Sequence, residues 1–443
     1  MTLGGEARYV AYASGNLAKN VLWATADVTL LYVLTDLLDV PASTAGVIFL
    51  VGLLFDAVLD LVVGAAVERS RTRLGQYGPF IVVGAPLSAG AFLLLYSLPW
   101  LGVSNLWVIF ACVILFRACY AICDLPHTAL ITKVAASSRG RSRVAGYRFF
   151  FSSVASLSLA LIIPRITIPP HREANLAAFA LLAAVLSAVI LFIAWFAVRR
   201  SDAPPPRKED PGLFKHLSGV VANPTFAALA WITCCTGLTA PLFAKSCVYY
   251  ARYVLEDPAA AGLALTCLAI GQFAGVGLWT WLASRREKAF TLCAAHLLAA
   301  AAFAVIGVTT PDHALFAALA ATAGVGLSGV YMLLWGMAPD VVDYGEFRFG
   351  RRHEATTFAL LLLISKAAMG VGAALLGWSL GAAGYVPDMP QTPQVRAWIV
   401  LATCAAPALG CLTCAALTRR YLLTHRRHGR VVAGIARRAQ SSA

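Results

Sequence analysis

Two carboxylates stand four residues apart in the apolar run Phe55-Asp56-Ala-Val-Leu-Asp60-Leu-Val-Val-Gly64. On a helix this spacing puts both on one face. Gly52 and Gly64 continue the same four-residue row, so that face is narrow and another helix can approach it closely. Carboxylate oxygens can coordinate Na⁺, and a crowded pair can instead hold a proton by raising one pKa. Binding a cation there relieves repulsion and can favour one conformation, which is the coupling that symport requires. The plainer use of the pair is a salt bridge between helices, with Arg117 or Lys366 as partner. Other ionisable residues also interrupt apolar runs. Lys19 beside Asn20, Arg117 and Lys366 fall near the middle of their runs, and Asp124 lies two turns beyond Arg117. With Asp56 and Asp60 they form one layer. Asp340, Asp343 and Arg148 fall at run ends, where a salt-bridge latch is the plain reading; for Arg148 a site role weighs as much. Asp27 reads as a cavity or pairing residue, and Lys245 as a lysine that snorkels or meets an acid.

The elements that position these groups are membrane-spanning helices. The 443-residue chain is 60% hydrophobic and only 13% charged, with a mean hydropathy of +0.75. Soluble domains carry roughly 25% charged residues. Apolar runs long enough to cross a bilayer recur throughout, so each buried charge must face the interior or a partner. The pattern predicts about twelve spans and no cleaved signal peptide. The net charge of +14 does not point to nucleic acid, because the basic residues sit in short loops between spans. Arg69, Arg71 and Arg73, the group Lys133 to Arg143, Arg199 to Lys215, Arg285 to Lys288, Arg348 to Arg352 and the tail after Arg419 all fall on one side. This asymmetry predicts that both termini and these loops are cytoplasmic in a plasma (inner) membrane. The 11 cysteines lie mostly in apolar runs and read as small buried hydrophobes; the CxxC of Cys411 and Cys414 has no neighbouring ligands.

The polar, proline-rich stretch 199–222 reads as a linker. It divides the chain into an N-terminal six-helix half (1–198) and a C-terminal half (223–423), followed by a basic tail (424–443). The tail reads either as a lipid-facing segment or as a solubilising one. The basic segment 133–148 has a counterpart at 340–352, and the arginine-rich loop after Glu68 has one at Ser284-Arg-Arg-Glu-Lys288. Two parallel six-helix halves around a midplane site describe the major facilitator fold, an all-α polytopic membrane architecture. The histidines fall mostly in loops and the tail, and no nucleophile–base set is visible. A transporter is therefore expected rather than an enzyme.

The stretch Asp56-x3-Asp60-x3-Gly64-x3-Glu68-Arg-Ser-Arg-Thr-Arg73-x-Gly75-x-Tyr77-x-Pro79 closely resembles the second-helix signature of the glycoside–pentoside–hexuronide:cation symporters. The resemblance continues through Tyr120-Ala-Ile-Cys-Asp124-Leu-Pro126, Arg143-x3-Tyr147-Arg148-Phe-Phe150, Asp340-Val-Val-Asp343-Tyr-Gly-Glu346 and Lys366. It implies that Asp56 and Asp60 bind the cation, that Asp124 and Arg148 bond sugar hydroxyls, and that Lys366 links the two sites from the second half. Segments 133–148, with Arg143, and 340–352, with Asp340 and Asp343, are implied as gates. Three positions depart from the family pattern. The sugar-site aspartate after the span-1 lysine is Asn20, the stacking tryptophan is Thr128, and the threonine that helps ligate Na⁺ is Ala121. Loss of a ligand oxygen hurts Na⁺ more than a proton, so the expected coupling ion is H⁺, with Na⁺ second. Arg117 adds a cation, which suits a solute with a carboxylate. The expectation is a monomeric, cofactor-free symporter of a sugar-like small molecule, with a lysolipid or other metabolite as the alternative cargo.

Overall fold

A computed structural model describes all residues except 1–4, 167–170, 204–212, 258, 310, 386–388 and 442–443. Arg207 and Lys208 of the linker lie outside the described residues. The described residues are helical throughout, with no strand beyond an isolated bridge between Thr72 and Gly75. They form two compact units.

Unit 1 comprises residues 1–220 together with 352–363. Its long helices are α1 (Gly5–Tyr32), α2 (Ala42–Arg69), α3 (Gly78–Ser97) and α4 (Leu106–Ala129), and a single turn follows, α5 (Ile131–Val134). Then come α6 (Ser138–Ile166), α7 (Arg172–Val198) and the short α8 (Leu213–Val221), which lies in the stretch read as linker. Unit 2 comprises residues 221–351 and 364–443. It holds α9 (Pro224–Tyr253), α10 (Ala259–Arg285), α11 (Lys288–Thr309), α12 (His313–Phe349) and most of α13 (Glu354–Ala382). It ends with α14 (Pro393–Val400), a π turn, α15 (Ala406–Thr418) and α16 (His425–Ser441).

Eleven helices among the described residues are long and apolar enough to cross a membrane. The expected first span, α1, is 28 residues long but falls outside that set. Asn16, Lys19 and Asn20 lower its hydropathy, because one face of α1 is given to polar contacts. Two helices overrun their apolar runs. α6 starts at Ser138, so Arg139, Arg141 and Arg143 ride on its first turns instead of a loop; the Ser137 hydroxyl accepts from the Gly140 N–H at 3.0 Å and caps it. α12 continues past Asp340 and Asp343 to Gly350, whose φ of 71° closes it.

Side-chain caps set the starts of α4, α9 and α12. The Asn105 side chain accepts from the N–H groups of Trp107 and Val108, Asn223 from those of Thr225 and Phe226, and Asp312 from that of Leu315. The start of α3 is capped from a distance. Asp202, beyond the end of α7, accepts from the N–H of Gln76 at 3.2 Å, Tyr77 at 3.1 Å and Gly78 at 2.7 Å. Asp202 is 1% exposed, and burial pushes its carboxyl up from 3.8 to about 6. A raised folded-state pKa means the folded protein holds the proton more tightly, so this contribution is fully present below about 3.8 and is lost as pH rises through about 6. Wild-type Tm is therefore expected to fall across that window relative to Asp202→Asn. Asp202→Ala, which removes the cap, is expected to cost about 1–2 kcal/mol. Thermal unfolding of both variants over a pH series checks this.

The core of unit 1 runs along α3 and α4, where Phe92, Tyr96, Phe116 and Tyr120 pack with ring centroids 4.5–5.9 Å apart in sequence. Unit 2 has a matching cluster of Phe243, Phe303, Phe316 and Tyr250. In unit 1 the predicted narrow face of α2 is used at both glycines. A Cβ on Gly52 would meet Val113 at 3.2 Å and Arg117 at 3.7 Å; one on Gly64 would meet Ala359 at 3.1 Å.

Candidate functional site

The polar face of α1 carries Asn16, Lys19 and Asn20 at i, i+3 and i+4, so all three point the same way. Lys19 is 3% exposed. Its ammonium bonds Asp124 Oδ1 at 2.5 Å, Thr128 Oγ1 at 2.7 Å and the Asp124 carbonyl at 3.2 Å. These contacts use all three of its donors. Asp124 and Thr128 lie one turn apart on α4. From α6, Arg148 donates through Nη2 to Thr128 Oγ1 at 3.1 Å and through Nε to Asn16 Oδ1 at 2.9 Å. Ser152, one turn on, accepts from the amides of Asn16 and Asn20 at 3.0 and 2.9 Å. Three helices are thus tied into one buried polar cluster. Arg148 Nη1 is buried there without a hydrogen-bond partner among the described residues, so the cluster presents a spare charged donor. Arg148, read equally as a latch or as a site residue, is thus placed in this cluster.

Tyr12 and His127 back the cluster. The Tyr12 hydroxyl donates to the His127 carbonyl at 2.6 Å, and the two rings stack with centroids 4.7 Å apart.

Arg117 sits apart from this cluster, about two turns along α4 from Asp124. It is 1% exposed, and Nε, Nη1 and Nη2 have no hydrogen-bond partner among the described residues. Its guanidinium lies over the Trp23 ring at 4.7 Å and near Phe49 at 5.7 Å. Trp23 in turn packs on Tyr120 at 5.5 Å. Cation–π contact offsets part of the desolvation cost of this guanidinium, but its N–H donors are unspent. A buried cation with free donors is the chemistry that recognises a carboxylate or another oxyanion.

Asp56 and Asp60 are both 0% exposed on α2, which packs along α4. The pair therefore borders the α4 side of the polar cluster. Ala121 on α4 is buried as well, and its side chain offers no oxygen.

The remaining predicted residues lie elsewhere. Lys366 is 9% exposed on α13, in unit 2. Asp340 and Asp343 are brought together in unit 2. Lys288 Nζ meets Asp340 Oδ2 at 2.8 Å, and His428 Nε2 of α16 lies 2.9 Å from Asp343 Oδ2 and 3.6 Å from Asp340 Oδ1. The basic tail is thus an amphipathic helix with one face against α12. Arg143 is half-exposed on α6 and pairs with Glu6 at 2.5 Å. Asp27 and Lys245 are exposed.

Sequence reasoning missed Asn16, Ser152, Tyr12 and His127. For the first two a signal was present: Asn16 is four residues before Asn20, and Ser152 four after Arg148, each a polar pair at helical spacing in an apolar run.

Residues 11–425 match the family of MFS/sugar transport proteins. The chain is 27% identical over 407 residues to the glucuronide carrier protein homolog of Escherichia coli K12, covering 89% of this chain and 88% of that protein. It is 26% identical over 411 residues to the putative glycoside/cation symporter YagG of the same organism, covering 90% and 88%. Among solved structures, the major facilitator transporter FucP in its outward conformation superposes with a TM-score of 0.66 at 15% identity, over 94% of this chain and 99% of that one. The fold is the major facilitator fold.

Proposed function

We propose, from the premise that this chain belongs to the MFS/sugar transport protein family and is a transporter rather than an enzyme, that it is a proton-coupled symporter of an acidic sugar or glycoside. The Lys19–Asp124–Thr128–Arg148 cluster carries this reading. A polyol is recognised by a dense set of fixed donors and acceptors, and charged groups give the stronger bonds. Asp124, Arg148, Asn20 and Thr128 bind hydroxyls, Lys19 holds Asp124 and Thr128 in place for the solute, and Arg117 binds the carboxylate. Seven residues separate Arg117 from Asp124, about 10 Å along a helix, so the two ends of a glycoside-sized solute reach both. The glycoside and glucuronide named for the two relatives fit this class. A lysolipid fits the hydrogen-bonding cluster less well.

Asp56 and Asp60 take the coupling proton, with Na⁺ as the second candidate. Protonation removes the repulsion between two buried charges and shifts the conformational balance. Lys366, in the second half, is assigned the role of linking the cation and solute sites, and Arg143, Asp340 and Asp343 act in gating. The halves 1–198 and 223–423 alternate access to the site, as a monomer in the plasma (inner) membrane with both termini cytoplasmic.

Uptake of an aryl glucuronide and its neutral glucoside into proteoliposomes, with imposed pH or Na⁺ gradients, tests the reading. Accumulation driven by the pH gradient is expected; strict Na⁺ dependence at constant pH would overturn proton coupling. Arg117→Gln is expected to weaken glucuronide binding about 10–100-fold, the worth of a charged hydrogen bond, and to leave the glucoside little changed. Equal handling of both solutes by the wild type sinks the carboxylate assignment.

A further inference from the structure

We propose that the crevice between α6 and α7 is a binding site for one acyl chain of a bilayer phospholipid. α6 and α7 are consecutive in sequence, yet each packs along α1 and they make little contact with one another. The gap is a cavity of about 540 Å³. Its floor is Ala18 and Val21 of α1, and its walls are Ile162 and Ile166 on one side and Phe179 and Leu186 on the other.

Three features select the occupant. The crevice opens onto the membrane: Leu182 and Leu186 on its rim are half-exposed within a span of high hydropathy. Its lining is almost wholly apolar. The buried Ser187 hydroxyl is already spent on the Ala18 carbonyl at 3.1 Å, so nothing in the floor calls for a polar ligand. Its length is more than enough to take an acyl chain across one leaflet. On α7 the lining runs from Asn175 to Ile190, about 22 Å at 1.5 Å per residue, against about 15 Å for half of the hydrocarbon core.

The ends supply polarity where a headgroup would lie. Arg165 is in the last turn of α6, and Arg172, which pairs through Nε with Glu173 at 2.9 Å, is in the first turn of α7, one turn before Asn175. A chain moved from bulk lipid into the crevice gains no hydrophobic energy, because its surroundings were already apolar. Packing against otherwise unfilled walls and the attraction of a phosphate to the two arginines make the difference. The same α1 carries Asn16, Lys19 and Asn20, and α6 carries Arg148, so a seated chain props the helices that hold the polar cluster.

The full chain, reconstituted with a phosphatidylglycerol carrying a diazirine in its acyl chain, provides the test. Labelling is expected to be severalfold denser on residues 158–166 and on the crevice face of α7 than on Leu181, Val185 and Phe192, which face lipid elsewhere on α7. Ala183→Phe, which fills the crevice, should remove the excess while thermal unfolding stays cooperative. The Arg165→Gln, Arg172→Gln double variant should reduce it. Even labelling of all lipid-facing residues in the wild type would overturn the site, as would photo-cross-linking of these segments to a second copy of the chain. The wild-type ratio decides the matter even where a variant fails to fold.

Discussion

Asp124→Ala is expected to abolish solute uptake and to destabilise the protein by about 3–5 kcal/mol, the cost of removing one partner of a buried ion pair. Lys19 is 3% exposed and delivers two of its three hydrogen bonds to Asp124, one to the carboxylate and one to the carbonyl. Without the carboxylate an ammonium stays in the membrane interior with only Thr128 and a backbone oxygen to meet it. The defect should pass along the network, since Thr128 Oγ1 also accepts from Arg148, and Arg148 holds Asn16. Replacing both partners, with Lys19→Met and Asp124→Leu together, should recover most of the stability and none of the uptake. Chemical or thermal unfolding in detergent, run as a double-mutant cycle, separates the two effects. If Asp124→Ala costs under about 1 kcal/mol, the pair behaves as an exposed one and the site must be redrawn.

Asp60→Asn and Asp56→Asn are expected to uncouple transport. Each is nearly isosteric and removes a charge from a position with no solvent exposure. Solute should still equilibrate, but accumulation against its gradient should collapse to a ratio near one, because no site remains whose occupancy by a cation distinguishes two conformations. Folding stability should hold or rise, since an ionised buried carboxylate is costly. Counterflow and gradient-driven uptake measured on the same vesicles tell loss of coupling from loss of binding. Full accumulation in both variants would remove the pair from the coupling mechanism.

What the sequence made legible follows helical spacing. Asp56 with Asp60, and Gly52 with Gly64, are local patterns, and the helix realises both: two buried carboxylates and two close approaches. Spans were legible from hydropathy, α1 more weakly than the rest because its polar residues lower it. Contacts between helices were not legible. That Lys19 meets Asp124 across 105 positions depends on the rotation of α1 against α4, and no local rule fixes it. Arg117 drew notice as a charge in an apolar run, yet its stacking on Trp23 and its unspent donors emerge only from packing. The helical, docked state of the tail was hidden for a similar reason: His428 looks like one more residue in a basic stretch until its two aspartates are found.

The capping of α3 by Asp202 has a mechanical side. Segment 201–203 is gripped from several directions: Arg8 of α1 donates to Ser201 Oγ, Lys133 of α5 to the Ala203 carbonyl, and the backbone at 76–78 to the Asp202 carboxylate. A pull on the chain at that segment falls on a clamp anchored to α1, to the turn α5 and to the start of α3, as a rope pulls on a cleat. Tension there is shared by α1, α3 and α5 at once, and no single helix end is peeled away.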